Sequence, residues 1–241
     1  MLSKNQRQII QKLQQKKFRM QQKSFVVEGK KNISEFLQSS FVLEKLFCTQ
    51  SFWSEVPSHK ICYITPNELR SISTLTNPDQ GVAIFQIPPQ KAPIYTEFTL
   101  VLDDIRDPGN LGTIIRLCDW FNVTQIVCSE QSVDCYNPKV VQATMGSLAR
   151  VSIIYTQLEQ FLQKSPLPIY ASLLNGTNVY KAKLSEKAIL VLGNEANGIS
   201  PTIQALCQHQ ITIPQFGKQT AESLNVATAS AILLSEFCRG I

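Results

Sequence analysis

Six short apolar runs separated by helix-like stretches govern what residues 97–241 can fold into. They are TLVLD (99–103), QIVCS (125–129), RVSII (150–154), PIYAS (168–172), AILVLG (188–193) and QITIP (210–214). Apolar spacing between them predicts helices near 110–121, 138–147, 157–164 and 200–208, and a long apolar helix closes the chain at 223–239. Strands apolar on every residue are buried on both faces, so the expected architecture is α/β, a mostly parallel sheet with helices on both faces. Ligands of such sheets bind beyond the carboxyl ends of the strands, which directs attention to the loops there.

The first half has a different texture. Ile9 and Leu13, with Leu2 and Ile10, mark one face of a basic helix. SFVVEG reads as a strand ending in a glycine turn, KKNISEFLQS as a helix, and VLEKLFCT, KICYIT and GVAIFQI as strands, with a helix starting at TPNELRSIS. Three prolines in Pro88-Pro89-Gln90-Lys91-Ala92-Pro93 interrupt both periodicities and mark a linker. Two domains are therefore expected, a small α/β domain over 1–90 and a larger one over 97–241.

Charge is unevenly spread. Residues 1–31 hold nine Lys or Arg against Glu28 alone, a net +8, whereas the whole chain nets +5, leaving −3 on the other 210 residues. A concentrated basic face suits phosphate backbones, because each phosphate neutralised releases a counterion; a solvated helix that only keeps the protein in solution is the alternative. Seven cysteines, an odd number without CxxC spacing, read as reduced thiols used as small core residues. With His59 and His209 the only histidines, no histidine-based metal site is expected. No apolar run reaches the length of a membrane span, and the N-terminus lacks a secretory signal, so the reading is cytoplasmic with no membrane partner.

Three loops stand out. LDDIRDPGNLGTIIRLCDWF (102–121) runs from a strand through Asp107-Pro108-Gly109-Asn110 into a helix carrying Arg116. It has neither the dinucleotide-binding nor the P-loop glycine spacing. Its bland reading is a corner with Asn110 as helix cap and Arg116 on the surface. LVLGNEANGIS (190–200) packs two glycines and two asparagines behind a strand, with charged Glu195 at its mouth and Ser200-Pro201 starting a helix. Positive-φ backbone near a flat or bulky group is the functional reading, and a structural turn is the other. IPQFGKQTAESLNVATASAILLSEF (213–237) brings a polar loop to Ser223-Leu224-Asn225, ahead of a helix rich in Ala, Thr and Ser, with Ser223 as its expected cap.

Taken in order, these segments resemble the three motifs of the SpoU family of RNA 2′-O-ribose methyltransferases, within the SPOUT superfamily. The resemblance rests on Asn110-x-Gly112-x-x-x-Arg116, on Gly193-Asn194-Glu195-x-x-Gly198, and on Ile213-Pro214 followed by Ser223-Leu224-Asn225-Val226-Ala227. Asn137-Pro138-Lys139-Val140-Val141 and Met145-Gly146-Ser147 are similar to the family's middle segment, and residues 1–90 resemble its N-terminal substrate-binding domain. The resemblance implies a C-terminal trefoil knot, a homodimer, S-adenosylmethionine as methyl donor, and RNA, ribosomal before transfer RNA, as substrate. It implies that Arg116, Asn110, Glu195, Ser223 and Asn225 form the catalytic set. Gly193, Ile213, Leu224, Leu192 and Gly198 would hold the cofactor, and Lys16, Lys17, Arg19, Lys23 and Lys30 would contact RNA. A guanidinium stays protonated, so Arg116 is expected to stabilise negative charge at the hydroxyl. The sequence departs from the family at Asn122, Ala196, Gln215 and Gln142, none of which removes a proposed catalytic group.

Other readings stay open: a non-catalytic RNA-binding protein on this scaffold, a methyltransferase acting on transfer RNA, or one acting on a base. Asp103, Asp104 and Asp107 are expected to cap turns. Trp53 and Trp120 are expected to pack, with base stacking a lesser reading for Trp53; Cys118 and Cys128 are expected in the core.

Overall fold

Residues 87–94 carry no regular structure, as their prolines require. The computed structural model of the chain describes residues 1–95, 97–217 and 222–239. It divides into two units, Met1–Pro89 with Asp134–Arg150, and Gln90–Val133 with Val151–Ile241. The second segment of the first unit lies, in sequence, inside the run of strands that builds the second.

Before the linker come α1 (Lys4–Lys12), α2 (Lys16–Gln22), β1 (Ser24–Glu28), α3 (Lys30–Leu37), β2 (Leu43–Cys48), β3 (Ile61–Tyr63), α4 (Pro66–Arg70) and β4 (Gly81–Gln86). After it come β5 (Thr99–Asp103), α5 (Pro108–Trp120), β6 (Gln125–Ser129), α6 (Pro138–Ala143), β7 (Ser152–Thr156) and α7 (Leu158–Gln163). The chain continues through β8 (Ile169–Asn178), β9 (Ile189–Gly193), α8 (Pro201–Gln204), β10 (His209–Thr212) and α9 (Val226–Cys238).

In the first unit the sheet order is β1-β4-β2-β3. Ile10, Leu13, Val26, Phe47, Leu69 and Val82 form one apolar cluster. Ser3 begins α1 with a capping box, its Oγ accepting from the Gln6 backbone N–H while Gln6 Oε1 accepts from the Ser3 N–H. Segment 134–150 completes the unit. Asp134 Oδ2 accepts from Arg19 Nε at 3.0 Å and Nη2 at 2.6 Å, and Arg19 Nη1 donates to the Leu13 carbonyl. Tyr136 packs on Phe25 with ring centroids 4.7 Å apart, and Asn32 Nδ2 donates to Gln142 Oε1. Arg19 is 1% exposed, so it is no RNA contact. Its planar fork is consumed by an internal carboxylate and carbonyl, because a buried guanidinium must be fully paired.

The second unit holds a six-stranded sheet of order β10-β8-β9-β5-β6-β7 with every pair parallel. The chain moves outward from β5 to β6 and β7, then crosses to the far side for β8, β9 and β10. The order therefore reverses between β5 and β9, where Asp103 pairs with Gly193. That reversal is where open parallel sheets leave a crevice for ligands. Val101, Val127, Ile154, Ile169 and Val191 fill one face, and α7 and α8 cover it with Leu158, Phe161 and Ile203.

Several boundaries differ from expectation for local reasons. β8 continues to Asn178 because Thr177 and Asn178 pair with Ile211 and Thr212, although this stretch is polar and exposed. The helix expected over 138–147 stops at Ala143, since Met145 and Gly146 have positive φ. The closing helix starts at Val226, with Asn225 rather than Ser223 as its cap.

Candidate active site

Each loop at the carboxyl end of β5 and β9 is held by its own polar side chains. Asp107 caps α5, accepting from the Asn110 backbone N–H at 2.8 Å, so the cap is Asp107 and Asn110 is freed to face outward. Asp103 Oδ2 accepts from the Ser200 N–H, and Asp104 pairs with Arg106. These acids are turn-forming, and no group of three or more metal-ligating side chains exists among the described residues.

After β9 the backbone folds back on itself, with Asn194 and Gly198 exchanging N–H to carbonyl hydrogen bonds at 2.8 and 3.0 Å. A Cβ on Gly193 would fall 2.1 Å from the Gly198 carbonyl carbon, and Gly198 has φ +69°. Glycine is thus required at 193 by close approach and at 198 by conformation. Asn194 Oδ1 accepts from the Ala196 and Asn197 N–H groups while its Nδ2 donates to the Asp104 carbonyl. The turn is locked to the β5 loop, and Glu195 projects from it.

Three motif side chains meet in one hydrogen-bonded chain. Asn225 Oδ1 accepts from the Ala227 and Thr228 N–H groups at the start of α9. Its Nδ2 donates to Asn110 Oδ1 at 2.9 Å, and Asn110 Nδ2 donates to Glu195 Oε1 at 2.6 Å.

Beside this chain lies a cavity of about 760 Å³. Leu192, Gly193, Gly198, Ile213 and Leu224, the five expected cofactor contacts, line it, as do Glu195 and Ser223. Sequence reasoning missed Glu222, a second carboxylate on the wall, although it adjoins the third motif. It also missed Ser172 and Asn175 of β8, for which a polar strand end gives no signal. Residues 218–221 of the third loop lie outside the described residues.

Arg116 is not brought to this cavity. It is exposed on α5 and makes no hydrogen bond or ion pair with another described residue. Six positions after Asn110, it leaves the helix about 9 Å further along and about 240° round. Trp120, on the same helix, is 84% exposed and does not pack, against expectation. Trp53 does pack, at 2% exposure, with Nε1 donating to Ser34 Oγ. Lys16, Lys17, Lys23 and Lys30 are exposed in the first unit, and Lys30 Nζ lies 4.5 Å from the Phe52 ring centroid. None of the seven cysteines forms a disulfide; burial pushes the Cys118 and Cys128 thiols up, and that of Cys207 up to about 11. Cys48, Cys118, Cys128 and Cys135 are buried, and Cys62, Cys207 and Cys238 are half-buried.

Comparison with known proteins places the chain in a family. The chain is 29% identical over 230 residues to the 23S rRNA (guanosine(2553)-2′-O)-methyltransferase RlmP of Bacillus subtilis, covering 92% of each. A protein of Porphyromonas gingivalis assigned to the TrmH family of RNA methyltransferases superposes with a TM-score of 0.92 at 36% identity, over 100% of both chains. The AdoMet-bound rRNA methyltransferase of Sinorhizobium meliloti gives a TM-score of 0.89 at 28% identity, over 100% of this chain and 97% of that one. Residues 5–83 match the MRM3-like substrate binding domain, and residues 97–235 match the SpoU rRNA Methylase family. The chain belongs to the SpoU rRNA methylase family.

Proposed function

We propose that this protein transfers a methyl group from S-adenosylmethionine to a ribose 2′-hydroxyl of ribosomal RNA. The observation that carries the reading is the cavity lined by β8, β9 and β10, walled by the second and third motifs and flanked by the Asn225–Asn110–Glu195 chain. Its volume lies in the range of small-molecule sites, roughly 300–1,000 Å³. Leu192, Ile213 and Leu224 offer apolar surface to a purine, and Glu222 sets negative charge beside a cationic donor. S-adenosylmethionine supplies a methyl already activated on a sulfonium. Its presence in the Sinorhizobium relative, and the rRNA ribose named for the Bacillus one, support the same roles in this chain.

The chain's own residues must bind, orient and manage charge. Ser223 and Asn225 position the ribose, and Asn110 joins Asn225 to Glu195 beside the cavity. Arg116 holds the phosphate beside the reacting hydroxyl. Because it leaves α5 away from its own cavity, we infer a homodimer in which Trp120 is covered and Arg116 serves the second copy's site. The C-terminal part of the methyltransferase domain forms a trefoil knot. Residues 1–90 form the RNA-binding domain, acting through Lys16, Lys17, Lys23 and Lys30, and 97–241 the methyltransferase domain. No helix among the described residues is long and apolar enough to cross a membrane, and the site of action is the cytoplasm.

Incubation with labelled S-adenosylmethionine and separated, unmodified ribosomal and transfer RNA tests the reading. Label enters the ribosomal fraction. Label in transfer RNA alone would move the substrate. Cofactor binding without label in any RNA would favour a non-catalytic RNA-binding role, the one other reading that the basic first unit supports.

A further inference from the structure

The polarity of the Asn225–Asn110–Glu195 chain is fixed from one end. Asn225 Oδ1 is committed to two backbone N–H groups, at 2.9 and 3.3 Å, because α9 needs a cap. Its Nδ2 must therefore face Asn110, whose oxygen turns to meet it, and the Asn110 amide nitrogen is left to donate to Glu195. Neither amide can flip without setting oxygen against oxygen. The chain ends on a carboxylate that has one oxygen bound and leaves Oε2 without a partner among the described residues. Glu195 also stands on the cavity wall, where the described lining holds one other carboxylate, Glu222, and no Lys, Arg or His.

We propose that Glu195 is the proton acceptor of the reaction, taking the ribose 2′-hydroxyl proton on Oε2 as the methyl arrives. The inference rests on the methyltransferase reading above. The ribose oxygen's lone pair forms the O–C bond, and the S–C bond breaks with its pair left on sulfur. The hydroxyl proton passes to Glu195 Oε2 and then to water. A carboxylate is too weak a base to ionise a free ribose hydroxyl, but it does not have to. As the O–C bond forms, the oxygen gains positive character and its proton becomes far more acidic than a carboxylic acid, so late transfer to an ordinary carboxylate runs downhill. Arg116 cannot take this part, since a guanidinium is already protonated. The two roles are separate, holding of the adjacent phosphate by Arg116 and proton acceptance by Glu195.

Glu195→Gln isolates the role. Glutamine keeps an Oε1 that accepts from Asn110, so the network and the turn survive, while the second oxygen becomes an N–H2 that cannot take a proton. Single-turnover methyl transfer is expected to fall by about a hundredfold or more, the usual yield of general base catalysis. Dissociation constants for S-adenosylmethionine and RNA, measured by titration, should stay within about threefold. A variant turning over at a third of the wild-type rate, or one whose cofactor affinity collapses in step with activity, overturns the assignment. A wild-type protein that transfers no methyl at all would instead overturn the methyltransferase reading.

Asn110→Asp gives an independent check. Its carboxylate still accepts from Asn225 but faces Glu195 with like charge, which favours the protonated form. The acidic limb of the pH–rate profile should move to higher pH. The other ionisable groups nearby are Asp104, Arg106 and Asp107 after β5, Glu222 on the cavity wall and Arg116 along α5. Asp104 is held by Arg106, and Asp107 by the α5 N-terminus. An acidic limb that does not move overturns the proposal.

Discussion

The roles proposed for Arg116 and Asn225 are separable by substitution. Arg116→Ala removes an exposed group that makes no hydrogen bond or ion pair with another described residue, so folding and cofactor affinity should hold while transfer falls by about a hundredfold or more. Retained turnover in this variant would remove Arg116 from the chemistry. Asn225 has two duties, capping α9 and polarising Asn110. Asn225→Ala loses both, with about 1 kcal/mol of stability from the cap alone. Asn225→Ser keeps a capping hydroxyl but is too short to reach Asn110. Near-normal thermal stability with poor activity is expected for the serine variant, and a drop in melting temperature matching that of the alanine variant would contradict the two-duty account. Arg19 acts on stability alone. Asp134→Asn leaves its buried guanidinium without a counter-charge and should cost about 3 kcal/mol in urea unfolding, as broken buried pairs do. An unchanged unfolding midpoint would refute the pairing.

Elements were legible wherever one physical signal dominated. β5, β6 and β9 are buried on nearly every residue, and their apolar runs announce it. β8 was cut short in the sequence because its second half is paired through the backbone while its side chains face water. Which element caps which was also hidden. Asp107, Asn110, Ser223 and Asn225 are all competent caps by residue type, and only the entry geometry of α5 and α9 selects among them. The glycine requirement of the β9 turn was half legible. Positive φ was expected and is found at Gly198, whereas at Gly193 the constraint is the backbone across the turn, 2.1 Å from where a Cβ would sit. Gly193→Ala should therefore open the turn, displace Glu195 and abolish cofactor binding in a titration. A variant that binds normally would show the turn to be dispensable. In the candidate site, the motifs picked out Asn110, Glu195 and Asn225, which the fold brings together, but the direction of the hydrogen bonds joining them needed the fold.

On the scale of the whole molecule, charge and chain path carry the account. The net +8 of residues 1–31 sits in the first unit, where Lys16, Lys17, Lys23 and Lys30 are exposed and Arg19 is not. Changing these four lysines to glutamine should weaken RNA binding across sequences and lower the slope of log affinity against log salt by about one per lysine that meets a phosphate. An unchanged slope would place RNA elsewhere. Point changes are the cleaner test than deletion of 1–90, because deletion would strip Tyr136 and Asp134 of the partners that bury them. The central claim is that the methyl group lands on a ribose oxygen. Alkaline digestion of ribosomal RNA labelled by the wild-type protein tests it most directly, since a methylated 2′-oxygen cannot attack the neighbouring phosphate. The account predicts label in alkali-resistant dinucleotides; label recovered on mononucleotides, with the methyl on a base, would contradict it.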